Sequence, residues 1–239
     1  MRARPYTALA QVYDRLMQDV PYGDWARFVL AQAEARGVTP RGVLELGAGT
    51  GSFTMHLEAA GLNVVAVDAS ADMLAVAATR LTRSRLLCGD LREVPGDGAF
   101  DLVVAVFEVV NHLLEDGSLE RLAAHVRRRL APAGLWVFDA TTTVGLRDLW
   151  PDGRAEGWAD DVRYRWHHAW DARRRVATVE AWCEGPGGAF VEVHRQRAYD
   201  PSELRSALGG AGFAEVEVLA YPEGTPAPAD AATVWVVAR

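Results

Sequence analysis

Residues 43–53 read Val-Leu-Glu-Leu-Gly-Ala-Gly-Thr-Gly-Ser-Phe, an apolar strand that runs into Gly47, Gly49 and Gly51 and then into a helical pattern. Glycine has no Cβ and tolerates positive φ, so such a turn lets the backbone press against an adenosine-containing molecule. The spacing argues against a dinucleotide fingerprint, because the place of its third glycine is taken here by Ser52. The next acidic strand end is Asp68, closing Leu-Asn-Val-Val-Ala-Val-Asp, where a carboxylate can accept from both hydroxyls of a ribose.

Outward from this turn, strand-like segments near 41–46, 62–67, 85–88, 100–106 and 134–140 alternate with helical patterns. That alternation predicts a parallel sheet covered on both faces. Residues 160–171, 174–184 and 189–199 then read as three further strands, separated by turns at Asp171-Ala-Arg173 and Gly185-Pro-Gly-Gly188. Two helices, Thr7 to Asp19 and one through Trp25 and Phe28 to Gly37, precede the first strand. A helix from Pro201 and strands over 213–221 and 232–239 end the chain, with a Pro-rich loop from Pro222 to Asp230.

Five ordered motifs carry a family resemblance: Glu45-Leu-Gly-Ala-Gly-Thr-Gly51, Asp68, Cys88-Gly-Asp90-Leu91, Phe100-Asp-Leu-Val-Val-Ala-Val106 and Leu130-Ala-Pro-Ala-Gly-Leu-Trp-Val-Phe-Asp139. Together they resemble class I S-adenosylmethionine-dependent methyltransferases over roughly residues 6–239. The opening Tyr13-Asp-Arg-Leu-Met17, with Val20-Pro-Tyr22 and Trp25, resembles that of one bacterial group, related to small-molecule N-methyltransferases. The resemblance implies an α/β fold: a Rossmann-like seven-stranded sheet with helices on both faces, plus a small antiparallel β insertion. Residues 1–140 and 200–239 would form the core with its helical cap, and 141–199 the insertion, a substrate lid or dimer surface.

It also implies a cofactor, S-adenosylmethionine, held by Tyr13, Glu45, Gly47, Ala48, Gly49, Gly51, Asp68, Ala69, Met73, Asp90, Leu91 and Phe107. Asp90 would accept from the adenine amino group, and Tyr13 would close the site with its electron-rich ring. The segment Phe107-Glu-Val-Val-Asn-His-Leu113 follows the fourth strand, at the sheet edge where ligands of such folds bind. Asn111 is placed to orient an acceptor, and His112, with an unperturbed pKa of about 6.5, to remove a proton. Alternation over the last inserted strand sets Glu192, His194 and Gln196 on one face and Arg195, Arg197 and Tyr199 on the other. The second set suits an acidic or hydroxylated substrate, with Trp166 and His168 as a further wall; a solvated or dimer-forming face is the alternative.

A formal charge of −7 disfavours broad binding to nucleic acid, which needs Lys and Arg to neutralise phosphates. The clusters Arg127–Arg129 and Arg173–Arg175 read as a helix end and a turn. No apolar run of about 18 residues or apolar leader is present, which gives the expectation of a cytoplasmic protein with no membrane partner. Cys88 and Cys183 are too few for a disulfide framework and are expected as buried thiols; His167, His168 and His194 lack the carboxylate spacing of a metal site. The expected activity is methyl transfer to nitrogen or oxygen of a small molecule. Transfer to tRNA or rRNA, or a noncatalytic partner role on the same fold, are the alternatives.

Overall fold

The computed structural model describes residues 1–93, 98–149 and 152–239. A 3₁₀ turn over Ala8–Gln11 leads into helices α1 (Tyr13–Leu16) and α2 (Tyr22–Ala35). The α/β core follows as β1 (Gly42–Leu46), α3 (Ser52–Ala59), β2 (Asn63–Asp68), α4 (Ala71–Ala77), β3 (Arg85–Cys88) and β4 (Phe100–Ala105). A second 3₁₀ turn, Val109–His112, precedes α5 (Ser118–Arg129), β5 (Leu130–Thr141) and α6 (Thr143–Arg147). Then come β6 (Arg154–Ala159), β7 (Val162–Asp171), β8 (Val176–Gly185), β9 (Gly188–Arg197), α7 (Pro201–Gly210), β10 (Val216–Leu219) and β11 (Thr233–Ala238).

Seven strands form one sheet in the order β10-β11-β5-β4-β1-β2-β3, parallel except at β11, which runs antiparallel to β5 and β10. The strands of this sheet are apolar on both faces because helices cover both. Leu44, Leu46, Val103, Trp136 and Phe138 pack toward α5 and α7, whereas Val43, Val64, Leu102, Val104 and Val137 pack toward α2 and α3. The chain winds outward through β2 and β3 on one side of β1 and through β4 and β5 on the other. Loops leaving β1 and β4 therefore diverge and leave a crevice at the carboxyl edge.

The insertion is a separate antiparallel sheet of four strands, β6-β7-β8-β9, one more than the periodicity predicts. The additional strand, Arg154–Ala159, is an edge strand with Ala155 and Gly157 on its inner face, so apolar alternation is weak. Gly157 is small for a reason: a Cβ there would lie 2.8 Å from the Tyr164 hydroxyl. The predicted first helix is broken into a 3₁₀ turn and the single turn α1. Cys183 is buried as expected, but Cys88 is exposed because β3 is the sheet edge and lacks a neighbour on its outer side. Among the described residues no helix is long and apolar enough to cross a membrane.

Two clasps fix the insertion on the core. Arg175, in the turn between β7 and β8, pairs with Asp200 at 3.0 Å and Glu203 at 3.1 Å. At the amino terminus, the Met1 carbonyl accepts from the Val191 N–H, and the Ala3 N–H donates to the Val191 carbonyl, both on β9.

Candidate active site

A cavity of about 590 Å³ occupies the crevice between the loops after β1 and β4. Its floor is the glycine turn. Gly47 and Ala48 donate their N–H groups to the Val67 carbonyl, which tucks the turn against β2. Gly47 has φ +73°, and a Cβ there would meet Val109 at 2.4 Å. Gly49 has φ +57° and nothing within 4 Å of its missing Cβ. The first glycine thus permits close packing and the second keeps the cavity open.

Asp68, at the end of β2, accepts from the N–H groups of Gly49 and Ser70, each at 2.8 Å. Each carboxylate oxygen keeps further acceptor capacity at the cavity wall. Burial raises the pKa of this carboxyl, opposed by those N–H donors. Asp14 on α1 anchors the turn from above: it accepts from the hydroxyls of Thr50 at 2.6 Å and Ser52 at 3.2 Å and pairs with Arg80. That network seats the neighbouring Tyr13 on the cavity wall.

Glu45 lies on the same wall, 1% exposed, and its Oε2 has no hydrogen-bond partner. Burial pushes its pKa up to about 8. A buried carboxyl oxygen without a partner, facing a cavity, is costly unless a cation or donor completes it. The ammonium group of an amino-acid moiety is such a cation, and the Asp68 carboxylate suits ribose hydroxyls, so this donor set fits S-adenosylmethionine. Ala48, Ala69, Met73, Leu91 and Phe107 supply the apolar parts of the wall.

Two residues expected at the cofactor are placed elsewhere. Gly51 packs beneath α4, where a Cβ would lie 2.8 Å from Leu81 Cδ1. Asp90 holds Arg92 through both oxygens, at 2.9 and 2.6 Å, and that pairing keeps its pKa low.

The segment after β4 takes left-handed backbone at two successive non-glycine residues, Phe107 with φ +67° and Glu108 with φ +64°. Such strain persists only where surroundings enforce it. Here Asp139 accepts from the Glu108 N–H at 3.0 Å, and the Glu108 carboxylate accepts from Thr141 Oγ1 at 2.7 Å and from Gln196 Nε2. Asp139 is buried, and desolvation, then the Glu108 charge, pushes its pKa up to about 8.

Asn111 is fully buried and points away from the cavity. Its Nδ2 donates to the carbonyls of Thr141 and Arg197, each at 2.8 Å, and its Oδ1 accepts from the Thr141 N–H at 3.0 Å. It joins the turn after β4 to β5 and to the end of β9, leaving nothing for an acceptor. Asn111→Ala is expected to lower unfolding free energy by about 2 kcal/mol, since buried backbone groups lose their partners. Urea unfolding tests this, and an unchanged midpoint would remove the clasp.

His112 does line the cavity. Its Nε2 is 2.9 Å from Tyr6 Oη and its Nδ1 is 3.2 Å from the Arg195 carbonyl. Desolvation, then His194, lowers its pKa to about 4. The ring is therefore neutral at pH 7 and a weak base, which changes the expectation drawn from an unperturbed imidazole.

The face of β9 turned to the core is Glu192, His194 and Gln196, which meet Tyr6 and Glu108, the set not expected to meet substrate. Strand register places Trp166 beside Ala181 and Glu192, and His168 beside Val179 and His194, on this inner face. The Arg195 side chain is exposed; Arg197 pairs with Glu203 at 2.6 Å and lies over the Tyr199 ring; Tyr199 is buried and donates to the Leu113 carbonyl at 2.6 Å. Alternation alone separates two faces but does not say which one meets the core. Tyr6 and Tyr22 also line the cavity. Tyr6 sits in Arg-Pro-Tyr-Thr, with no motif to mark it.

A methyltransferase-domain family model matches residues 43–134, from β1 into β5. A sequence relative from Streptomyces fradiae, dTDP-3-amino-3,6-dideoxy-alpha-D-glucopyranose N,N-dimethyltransferase, is 32% identical over 230 residues, covering 90% of this chain and 88% of the relative. The putative methyltransferase YqeM of Bacillus subtilis is 28% identical, covering 87% and 86%. The crystal structure of an S-adenosylmethionine-dependent methyltransferase from Clostridium acetobutylicum superimposes with TM-score 0.84 at 21% identity, covering 97% of each chain. With the glycine turn, the acidic strand end and the seven-stranded order already in place, the chain belongs to the class I S-adenosylmethionine-dependent methyltransferases.

Proposed function

We propose that this enzyme transfers a methyl group from S-adenosylmethionine to nitrogen or oxygen of a small-molecule acceptor. The observation that carries the reading is one cavity lined together by Glu45, Asp68, Tyr6 and His112. The bound cofactor supplies an electrophilic methyl on a positively charged sulfur. The protein contributes alignment in a dry site: Asp68 and Glu45 offer carboxyl groups to the polar parts of the cofactor, Phe107 and Tyr13 supply ring walls, and Tyr6 and His112 line the cavity beside them. Similarity to an amino-sugar N,N-dimethyltransferase supports a small acceptor, as does the acidic net charge.

Calorimetry with S-adenosylmethionine, S-adenosylhomocysteine and NAD tests the cofactor half. Both sulfur nucleotides are expected to bind and NAD to stay unbound; the reverse pattern would overturn it. Asp68→Ala is expected to weaken S-adenosylhomocysteine binding by about 1 to 3 kcal/mol, or roughly five- to 150-fold. Unaltered affinity in a folded variant would take Asp68 out of the site.

A further inference from the structure

Tyr6 is held in place with unusual force for a residue so near a chain end. Its backbone is left-handed, φ +60°, which costs an L residue about 1 to 2 kcal/mol. Two partners enforce it, one on β9 and one in the turn between β2 and α4. Its N–H donates to Glu192 Oε2 at 2.7 Å, and its carbonyl accepts from Ser70 Oγ at 2.6 Å. Glu192 is fully buried in β9 and accepts also from the N–H groups of Thr7 and Leu9. The ring packs edge-on against His194, centroids 4.6 Å apart, and lines the cavity.

We infer that Tyr6 Oη reads the methyl acceptor, accepting a hydrogen bond from it, so that the site takes amines and rejects carboxylates. The inference deepens the function proposed above and rests on it. Its logic is a chain of forced protons. The Arg195 carbonyl can only accept, so His112 Nδ1 carries the proton. The ring is neutral, as its low pKa requires, and Nε2 is therefore bare. Nε2 must accept from Tyr6 Oη, which commits the phenol proton away from the cavity. What Tyr6 then presents to a ligand is lone pairs alone.

An amine that has released its ammonium proton to solvent and directs an N–H at those lone pairs keeps its nitrogen pair free to meet the methyl carbon. The sulfur–carbon bond breaks as the nitrogen–carbon bond forms, the positive charge passes to nitrogen, and the extra proton is lost from the methylammonium to solvent. No side-chain base is needed, which agrees with the weak basicity of His112. Burial first, then the negative field of Glu108, Asp68 and Glu192, raises the phenol pKa of Tyr6. The same field favours charge forming on nitrogen and repels a carboxylate.

Two measurements test this. Nitrogen-15 NMR of His112 at pH 7 is expected to show a protonated Nδ1 and a bare Nε2; a proton on Nε2 would make the phenol a donor and overturn the inference. On the complex with S-adenosylhomocysteine, benzylamine is expected to bind in preference to benzoate. Tyr6→Phe should weaken benzylamine about tenfold without a matching loss of S-adenosylhomocysteine affinity. Equal binding of the two probes, preference for benzoate, or an unaltered benzylamine affinity in the variant would each overturn it. Absence of S-adenosylhomocysteine binding to the parent protein would instead defeat the functional reading beneath it.

Discussion

Between pH 6.5 and 8 the ligand-free protein is expected to lose stability as pH rises, by about 1 to 3 kcal/mol per pH unit. Glu45 and Asp139 are both held to about 8 by burial, from ordinary values of 4.5 and 3.8. In this window the unfolded chain has released both protons and the folded chain has not, so each further rise in pH favours unfolding. Each group contributes up to roughly 1.4 kcal/mol per pH unit. His112 works in the opposite direction, since its folded pKa of about 4 lies below the unfolded 6.5, but only beneath pH 6.5. Bound S-adenosylhomocysteine should flatten the profile if, as proposed, its ammonium completes the unpartnered Glu45 oxygen and lets that carboxyl ionise. Asp139 accepts only from backbone N–H groups, so its part of the slope should remain. Urea unfolding at half-unit pH steps, with and without ligand, decides the matter. A flat profile without ligand, or one that ligand leaves unmoved, would refute this account of Glu45.

Gly47→Ala should lower stability by about 2 to 5 kcal/mol and abolish measurable cofactor binding. At φ +73° an L side chain costs about 1 to 2 kcal/mol. The new Cβ would lie 2.4 Å from one Val109 methyl and 2.8 Å from the other, and overpacking of this kind costs about 1 to 3 kcal/mol. Val109 opens the turn that carries His112, so relief of the clash moves the far end of the cavity as well. Gly49→Ala is the control: its Cβ meets nothing, leaving mainly the φ cost while still intruding on the ligand. Thermal melts and calorimetry on both variants separate the effects. Equal melting temperatures for the two would show that the Val109 contact is not what makes Gly47 necessary.

The core was legible because its signals are local. Residues 43–53 encode strand, turn and helix in consecutive positions, and Asp68 ends an apolar strand where any parallel sheet would place a ligand. The inserted sheet was legible as alternation, except at β6, whose inner face carries Ala155 and Gly157 to make room for Tyr164. Cys88 was misjudged because strand composition does not reveal that β3 is an edge.

The reacting end of the cavity depends on contacts between residues far apart in sequence. Asn111 and His112 are adjacent, yet one is consumed by the backbone of β5 and β9 and the other faces the cavity. Tyr6 acquires its place from Glu192, Ser70 and His112, separated from it by 186, 64 and 106 residues. The sequence alone determined the sheet, the cofactor class and the acidic strand end at Asp68 on the cavity wall, since glycine conformation and strand periodicity act over a few neighbouring residues. Only the tertiary structure decided which face of β9 meets the core, which hydroxyl and carbonyl flank the His112 ring and that Asn111 is spent on backbone groups. Those depend on burial and on hydrogen bonds across the join between two sheets, which no local pattern records.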